Sequence, residues 1–209
     1  MSYDVPSDEW DLQRLQDEHS NEKFYNCSAA IAIDNDRILI TGGGSPPQAL
    51  AWILTVSTTT LVRDSKMLSP RNAHAITRCA NRVYVLGGFS GKERLNTVEM
   101  YVQADEGSSW NSTWVKRAPM KHRRHYLAAC TVAESYIYVF GGFFGGSDSE
   151  INESIERYCP HENAWNLLTI RLKNPLWACV AVPLDENNII IIGGKNKNRN
   201  NEVNMLDLQ

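Results

Sequence analysis

Four runs of β-branched and aromatic residues punctuate this chain, and each closes on a pair of glycines. They are Ile38-Leu39-Ile40-Thr41-Gly42-Gly43, Val83-Tyr84-Val85-Leu86-Gly87-Gly88, Ile137-Tyr138-Val139-Phe140-Gly141-Gly142 and Ile189-Ile190-Ile191-Ile192-Gly193-Gly194. The pairs recur at intervals of 45, 54 and 52 residues. A short apolar run ended by a turn signal predicts a strand buried on both faces. A period near fifty gives one small sheet per unit, and such sheets bury their faces only by stacking on their neighbours.

A second pattern follows each glycine pair. A Tyr comes next and then a Trp: Tyr101 and Trp114 in the second unit, Tyr158 and Trp165 in the third. Tyr3 and Trp10 repeat the spacing of Tyr158 and Trp165, with six residues between, so residues 1–24 are predicted to be the end of a preceding unit. The first unit is degenerate, with Leu54 and Leu61, or Thr55 and Val62, in the aromatic places; Leu206 stands where the fourth unit calls for Tyr. Fifty residues accommodate four strands with turns. In the second unit the strands a to d are predicted near 73–79, 82–86, 97–102 and 112–117. In the third they are predicted near 126–132, 136–140, 153–158 and 164–169. The aromatic pair supplies large areas to bury between sheets.

These motifs resemble the kelch repeat, in the style of the kelch-like substrate-adaptor family, and Ala118-Pro119-Met120 with Arg124 resembles the join between kelch blades. The resemblance implies an all-β, kelch-type β-propeller with four-stranded antiparallel blades. Four periods are present, which reads either as part of a larger propeller or as a four-bladed ring. The expected divisions are 1–24 as the end of a preceding blade, then 25–70, 71–122, 123–174 and an incomplete blade at 175–209. In the ring, a strand around Trp10–Leu15 pairs with one around Val203–Leu208. In the larger propeller, missing blades or another chain cover the faces and edges an open array exposes. Kelch-like adaptors carry a BTB domain upstream, and no segment here matches one.

Composition narrows the class further. The chain has 209 residues, 43% of them hydrophobic, enough to build a core without low-complexity stretches. No run approaches the length of a membrane helix, and the polar, acidic N-terminus does not read as a signal peptide. Five scattered cysteines and no leader predict a reduced, cytoplasmic compartment. Sequons at Asn26, Asn111 and Asn152 carry no meaning there.

In a four-stranded meander the a–b and c–d turns share one end and the b–c and d–a connections share the other. The first set is acidic, with Asp34, Asp36, Glu134, Asp185 and Glu186. The second set is mainly basic. The net charge of −3 therefore conceals a polarised disc. Loops on a rigid scaffold are where partners dock. The candidate partner-binding residues are Arg71, Lys92, Arg94, Arg123, Arg124, His125, Phe144, Lys195 and Arg199. Arginine suits carboxylates, so the expected partner is a protein offering an acidic segment. Alanine at Arg71 and Arg124 is expected to weaken capture without lowering the melting temperature. Phe144 is expected to be exposed, and Phe89 and Phe143 to pack beneath the loops.

Catalytic chemistry finds no support. His122 and His125 match no zinc spacing, and Arg123 and Arg124 between them oppose a cation. No nucleophile elbow or metalloprotease motif occurs, and the glycine clusters do not precede helices. No cofactor is expected. A galactose-oxidase-like site remains the third reading, behind a binding module and a structural scaffold within a larger assembly. Nucleic acid is disfavoured by 21 basic against 24 acidic residues.

Overall fold

The computed structural model describes residues 2–4, 9–11, 16–17, 25–104, 112–145, 151–196 and 203–208. A hairpin of β1 (Ser2–Asp4) and β2 (Glu9–Asp11) places Tyr3 opposite Trp10. The first sheet contains β3 (Gln16–Asp17), β4 (Ala29–Ala32), β5 (Arg37–Thr41), β6 (Ala51–Thr55) and β7 (Thr60–Arg63); β3 lies parallel to β7 on the outside. The second is an antiparallel meander of β8 (Ala75–Cys79), β9 (Arg82–Leu86), β10 (Val98–Val102) and β11 (Thr113–Arg117). The third has β12 (Ala128–Val132), β13 (Tyr136–Phe140), β14 (Ser154–Cys159) and β15 (Ala164–Arg171). Among the described residues the fourth has β16 (Trp177–Pro183), β17 (Asn188–Lys195) and β18 (Val203–Asp207). The chain is a β-propeller of stacked blades, all β in its described residues.

The apolar runs account for the stacking. Val83 to Leu86 and Ile137 to Phe140 are all buried, because β9 and β13 are second strands with a sheet on either side. Successive sheets meet through their first strands, β4 on β8, β8 on β12 and β12 on β16. Three clusters fill the gaps. Leu39, Ile53 and Met67 meet Val83, Val85, Tyr101 and Trp114 between the first two sheets. Tyr84, Leu86 and Met120 meet Ile137, Val139, Tyr158 and Trp165 in the next gap, and Tyr138, Phe140 and Leu172 meet Cys179, Ile189 and Ile191 in the last.

The repeat register is set by backbone pairing. Tyr101 lies opposite Trp114, Tyr158 opposite Trp165, and Leu54 opposite Leu61, so the leucine pair holds the aromatic places in the degenerate unit. The second glycine of the first three pairs donates to the linker entering the next sheet. Gly43 N reaches Arg71 O at 2.9 Å, Gly88 N reaches Arg124 O at 2.7 Å and Gly142 N reaches Leu176 O at 2.8 Å. Arg71, Arg124 and Leu176 are therefore equivalent positions.

Among the described residues no strand pairing joins the two ends of the array. No described strand pairs with the outer edge of β18, so the pairing of a strand at 10–15 with one at 203–208 is not observed. Residues 12–15 lie outside the described residues. The far face of the fourth sheet leaves Val180, Val182, Ile192, Val203 and Met205 exposed. In the third sheet the positions equivalent to Val180, Val182 and Ile192 are Ala128, Cys130 and Phe140, and the fourth sheet buries them.

Candidate partner-binding site

The b–c loops and d–a linkers meet at one end of the blades. Isolated bridges join Asn72 to Phe89, Phe89 to Arg94, His125 to Phe143 and Phe143 to Ile151. The linkers are themselves chained together. Ala73 N donates to Cys27 O at 3.0 Å, Tyr126 N to Ala73 O at 2.7 Å, and Ala178 N to Tyr126 O at 2.8 Å. All four residues adopt a left-handed backbone, with φ of 58°, 48°, 54° and 53° for Cys27, Ala73, Tyr126 and Ala178. The scaffold beneath the rim is thus fixed by backbone hydrogen bonds from blade to blade.

Arg71 and Arg124 leave the expected docking face altogether. Both are 0% exposed. The Arg71 guanidinium runs inward to Gly87 O at 2.6 Å, to Thr97 Oγ1 at 3.2 Å and to the carboxylate of Glu99. Glu99 also accepts from the amides of Leu68 at 2.7 Å and Ser69 at 3.1 Å. Arg124 repeats the arrangement, donating to Gly141 O at 3.0 Å, Ser154 Oγ at 2.7 Å and Glu156 Oε1 at 2.8 Å. Glu156 accepts from the amides of Lys121 and His122. Burial lowers both guanidinium pKa values, and the partner carboxylates oppose that shift. A charge that far from water persists because it is paired with an opposite charge and held by further hydrogen bonds. These arginines lock linker to sheet and have no surface to offer a partner, and burial of this kind makes loss of stability, rather than an unchanged melting temperature, the expectation for their removal.

The other candidates remain at the rim. Lys92 and Lys195 are exposed, and Phe144 is 48% exposed while its neighbour Phe143 is buried. Phe89, Arg94 and His125 are half-buried. Arg123 pairs with Glu93 in an exposed ion pair and donates to Arg94 O at 3.0 Å. Exposed pairs of this kind contribute about 0–1 kcal/mol. Arg199 lies outside the described residues.

His125 joins a row of rings that sequence reasoning did not assemble. Its ring centroid is 6.1 Å from Phe89, 5.4 Å from Phe143 and 5.0 Å from Tyr126. Phe143 and Tyr126 in turn lie 4.9 Å and 5.4 Å from Trp177. The Lys195 ammonium stands over the Trp177 ring at 5.3 Å. Burial, with Arg94 adding to it, depresses the His125 pKa, so the imidazole is neutral at neutral pH. Its Nδ1 is buried and has no hydrogen-bond partner among the described residues. Trp177 and Tyr126 are the residues missed. The register carried the signal, because Trp177 follows Leu176 as His125 follows Arg124. The result is a partly exposed aromatic stripe running from the second sheet to the first strand of the fourth, with Lys195 over one end and Arg94 beside His125.

Among the described residues no helix is long and apolar enough to cross a membrane. The family model of the KLHDC2/KLHL20/DRC7 Kelch-repeats domain matches residues 1–182. The chain is 25% identical to Kelch-like protein 35 of Mus musculus over 194 residues, covering 92% of this chain and 31% of that protein. It is 32% identical to Alpha-scruin of Limulus polyphemus over 141 residues, covering 64% and 14%. Kelch-like protein 24 of Rattus norvegicus is 27% identical over 192 residues, covering 92% and 29%. The chain thus spans less than a third of the length of these relatives.

Proposed function

The chain belongs to the kelch-repeat family, a fold that works as a protein-interaction module, and we propose that it holds its partner on the aromatic stripe from Phe89 through His125 and Phe143 to Trp177. The observation that carries this reading is the continuity of the stripe, with basic side chains at its borders. Aromatic anchors beside cationic groups are the composition of interface hot spots. Phe144 extends the stripe outward as an exposed ring. Lys92, Arg94 and Lys195 give the site a positive border, which favours a ligand segment carrying carboxylates. Arg123 contributes less, because Glu93 already occupies its guanidinium.

The rim needs little ordering to bind. The inter-blade ladder through Cys27, Ala73, Tyr126 and Ala178 fixes the linkers, so the entropic cost of association falls mainly on the ligand. The kelch-like resemblance extends the reading to substrate recruitment by a cytoplasmic adaptor in ubiquitin transfer. The module needs no catalytic residue or cofactor for that work.

Random peptides displayed on a surface and selected against the immobilised protein test this. Enrichment of sequences with an aromatic residue beside Asp or Glu is expected. Recovery should drop at least tenfold for Phe144→Ala combined with Lys195→Glu, with melting unchanged. Enrichment of uncharged peptides removes the acidic-ligand part. Recovery indifferent to both substitutions removes the site.

A further inference from the structure

Lys195 and the turn at 184–187 stand at opposite ends of one strand. β17 runs from Asn188 to Lys195, eight residues that span about 26 Å at about 3.3 Å each. Its far end carries Lys195 to the rim, over the Trp177 ring. Its near end opens on the β16–β17 turn, where Leu184, Asp185 and Glu186 are all exposed, Leu184 at 58%. A large apolar side chain beside two carboxylates matches the kind of ligand proposed for the rim, and this chain displays it at the end opposite to that rim.

The neighbouring acids at that end are engaged elsewhere. Asp34 forms an ion pair with Arg37 at 2.6 Å, and the Asp36 carboxylate accepts from the amide and hydroxyl of Ser57 at 2.7 and 2.6 Å. Glu134 accepts from the Ala80 amide at 3.0 Å. Asp185 and Glu186 form no ion pair among the described residues. Asp185 instead orders its own turn. Its Oδ1 accepts from the amides of Asn187 and Asn188, both at 2.8 Å, and its Oδ2 from Asn188 Nδ2 at 2.9 Å. Leu184 N adds a bond to Asn188 O at 2.8 Å. The turn is thus held in one shape before anything meets it, which keeps the ordering cost of docking small. At the other end of β17, Lys195 has no carboxylate against it among the described residues. Unpaired charges of opposite sign at the two ends of one molecule are complementary between copies.

On the reading of the rim as the binding site, we propose that the turn at 184–187 is a self-docking element. It enters the rim of a second copy of the chain, with Leu184 on the Trp177 end of the stripe and the carboxylates of Asp185 and Glu186 against Lys195. The length of β17 keeps the turn away from its own rim, so the contact forms only between copies. Each copy presents one such turn and one rim, and the association is head-to-tail and extends into rows. A partner segment competes for the same rings, so partner binding dissolves the row.

Sedimentation velocity of the full chain over a range of concentrations tests this. The average mass is expected to rise with concentration and to fall back as salt screens the contact. The turn variant, Leu184→Ser with Glu186→Ser, and the rim variant, Phe144→Ala with Lys195→Glu, should each associate at least tenfold more weakly. Their melting should be unchanged, since all four side chains are exposed. Mixed together, the two variants supply one sound turn and one sound rim, so a one-to-one dimer that grows no further is expected. The turn variant keeps its rim and should capture displayed acidic, aromatic peptides as the parent does. A parent that stays monomeric while capturing those peptides overturns the self-docking and leaves the rim standing. Association that the turn variant retains, or a mixture of the two variants that stays monomeric, also overturns it. Loss of both self-association and peptide capture in the parent removes the rim, and the self-docking with it.

Discussion

Arg124 and Glu156 form a buried pair, 2.8 Å between Nη2 and Oε1, that ties the linker leaving the second sheet to the third strand of the next. Arg71 and Glu99 do the same one blade earlier. The fourth sheet dispenses with it, since Leu176 replaces the arginine and Asn204 falls at the place of the acid. Removing one member of such a pair strands the other charge away from water. Arg124→Ala and Glu156→Ala are each expected to lower unfolding free energy by about 3–5 kcal/mol. Arg124→Leu with Glu156→Asn, the combination the chain itself uses later, should cost clearly less than the two singles summed. Urea unfolding in a double-mutant cycle reads this directly. Additive losses would show that the two side chains act separately.

How far the fold was legible depended on the kind of residue. The second strands at 82–86 and 136–140 begin and end where the apolar runs do, because burial on both faces leaves the sequence no other pattern. The first strands begin later than the runs suggest, at Ala75 and Ala128, because Ala73 and Tyr126 take left-handed backbone to join the inter-blade ladder. A loop arginine reads as a surface charge unless its counter-ion is sought. Glu99 and Glu156, each two residues before the strand Tyr, were acids in the middle of apolar strands and marked where a buried cation had to lie. The aromatic stripe was harder to see, since Phe89, His125 and Trp177 come from a loop, a linker and the start of β16, which only the stacking brings together.

Gly141 and Gly193 hold the same place in consecutive blades and face different surroundings. A Cβ on Gly141 would lie 2.1 Å from Leu176 O, whereas one on Gly193 would meet nothing within 4 Å. Both have positive φ, 58° and 64°, so alanine carries a backbone penalty of about 1–2 kcal/mol at either. Only at Gly141 must the linker also move, and with it the hydrogen bond from Gly142 N to Leu176 O. Gly141→Ala should therefore lose several degrees more in melting temperature than Gly193→Ala. Equal losses would mean that the close approach has no energetic consequence.

Cys79, Cys130 and Cys179 are buried, and burial pushes their thiol pKa values up to about 11, about 12 and about 11. The nucleophile is the thiolate, so these three should resist alkylation at pH 8 on both grounds. Cys27 and Cys159 are only half-buried. Iodoacetamide followed by peptide mapping should label Cys159 and Cys27 in the native chain, and the other three only in denaturant. Native labelling of Cys130 at the rate of Cys159 would contradict the packing of the third sheet against the fourth.

His74 gives the fold a pH dependence whose direction follows from its surroundings. The ring is buried, its Nε2 lies 2.8 Å from Thr41 Oγ1, and the Arg71 charge acts on it. Burial first, and then the Arg71 charge, push its pKa from 6.5 down to about 3. The folded chain therefore keeps the ring neutral where the unfolded chain protonates it. Its contribution is complete above pH 6.5 and is lost as pH falls toward 3, at up to about 1.4 kcal/mol per pH unit. His125, also depressed by burial, adds to the same trend. The urea midpoint should fall steadily from pH 7 to pH 5. His74→Gln retains a group able to bond Thr41 but takes up no proton, so its stability should depend less on pH across that window. A variant as steep as the parent would place the lost protons elsewhere, with His125 the next to replace.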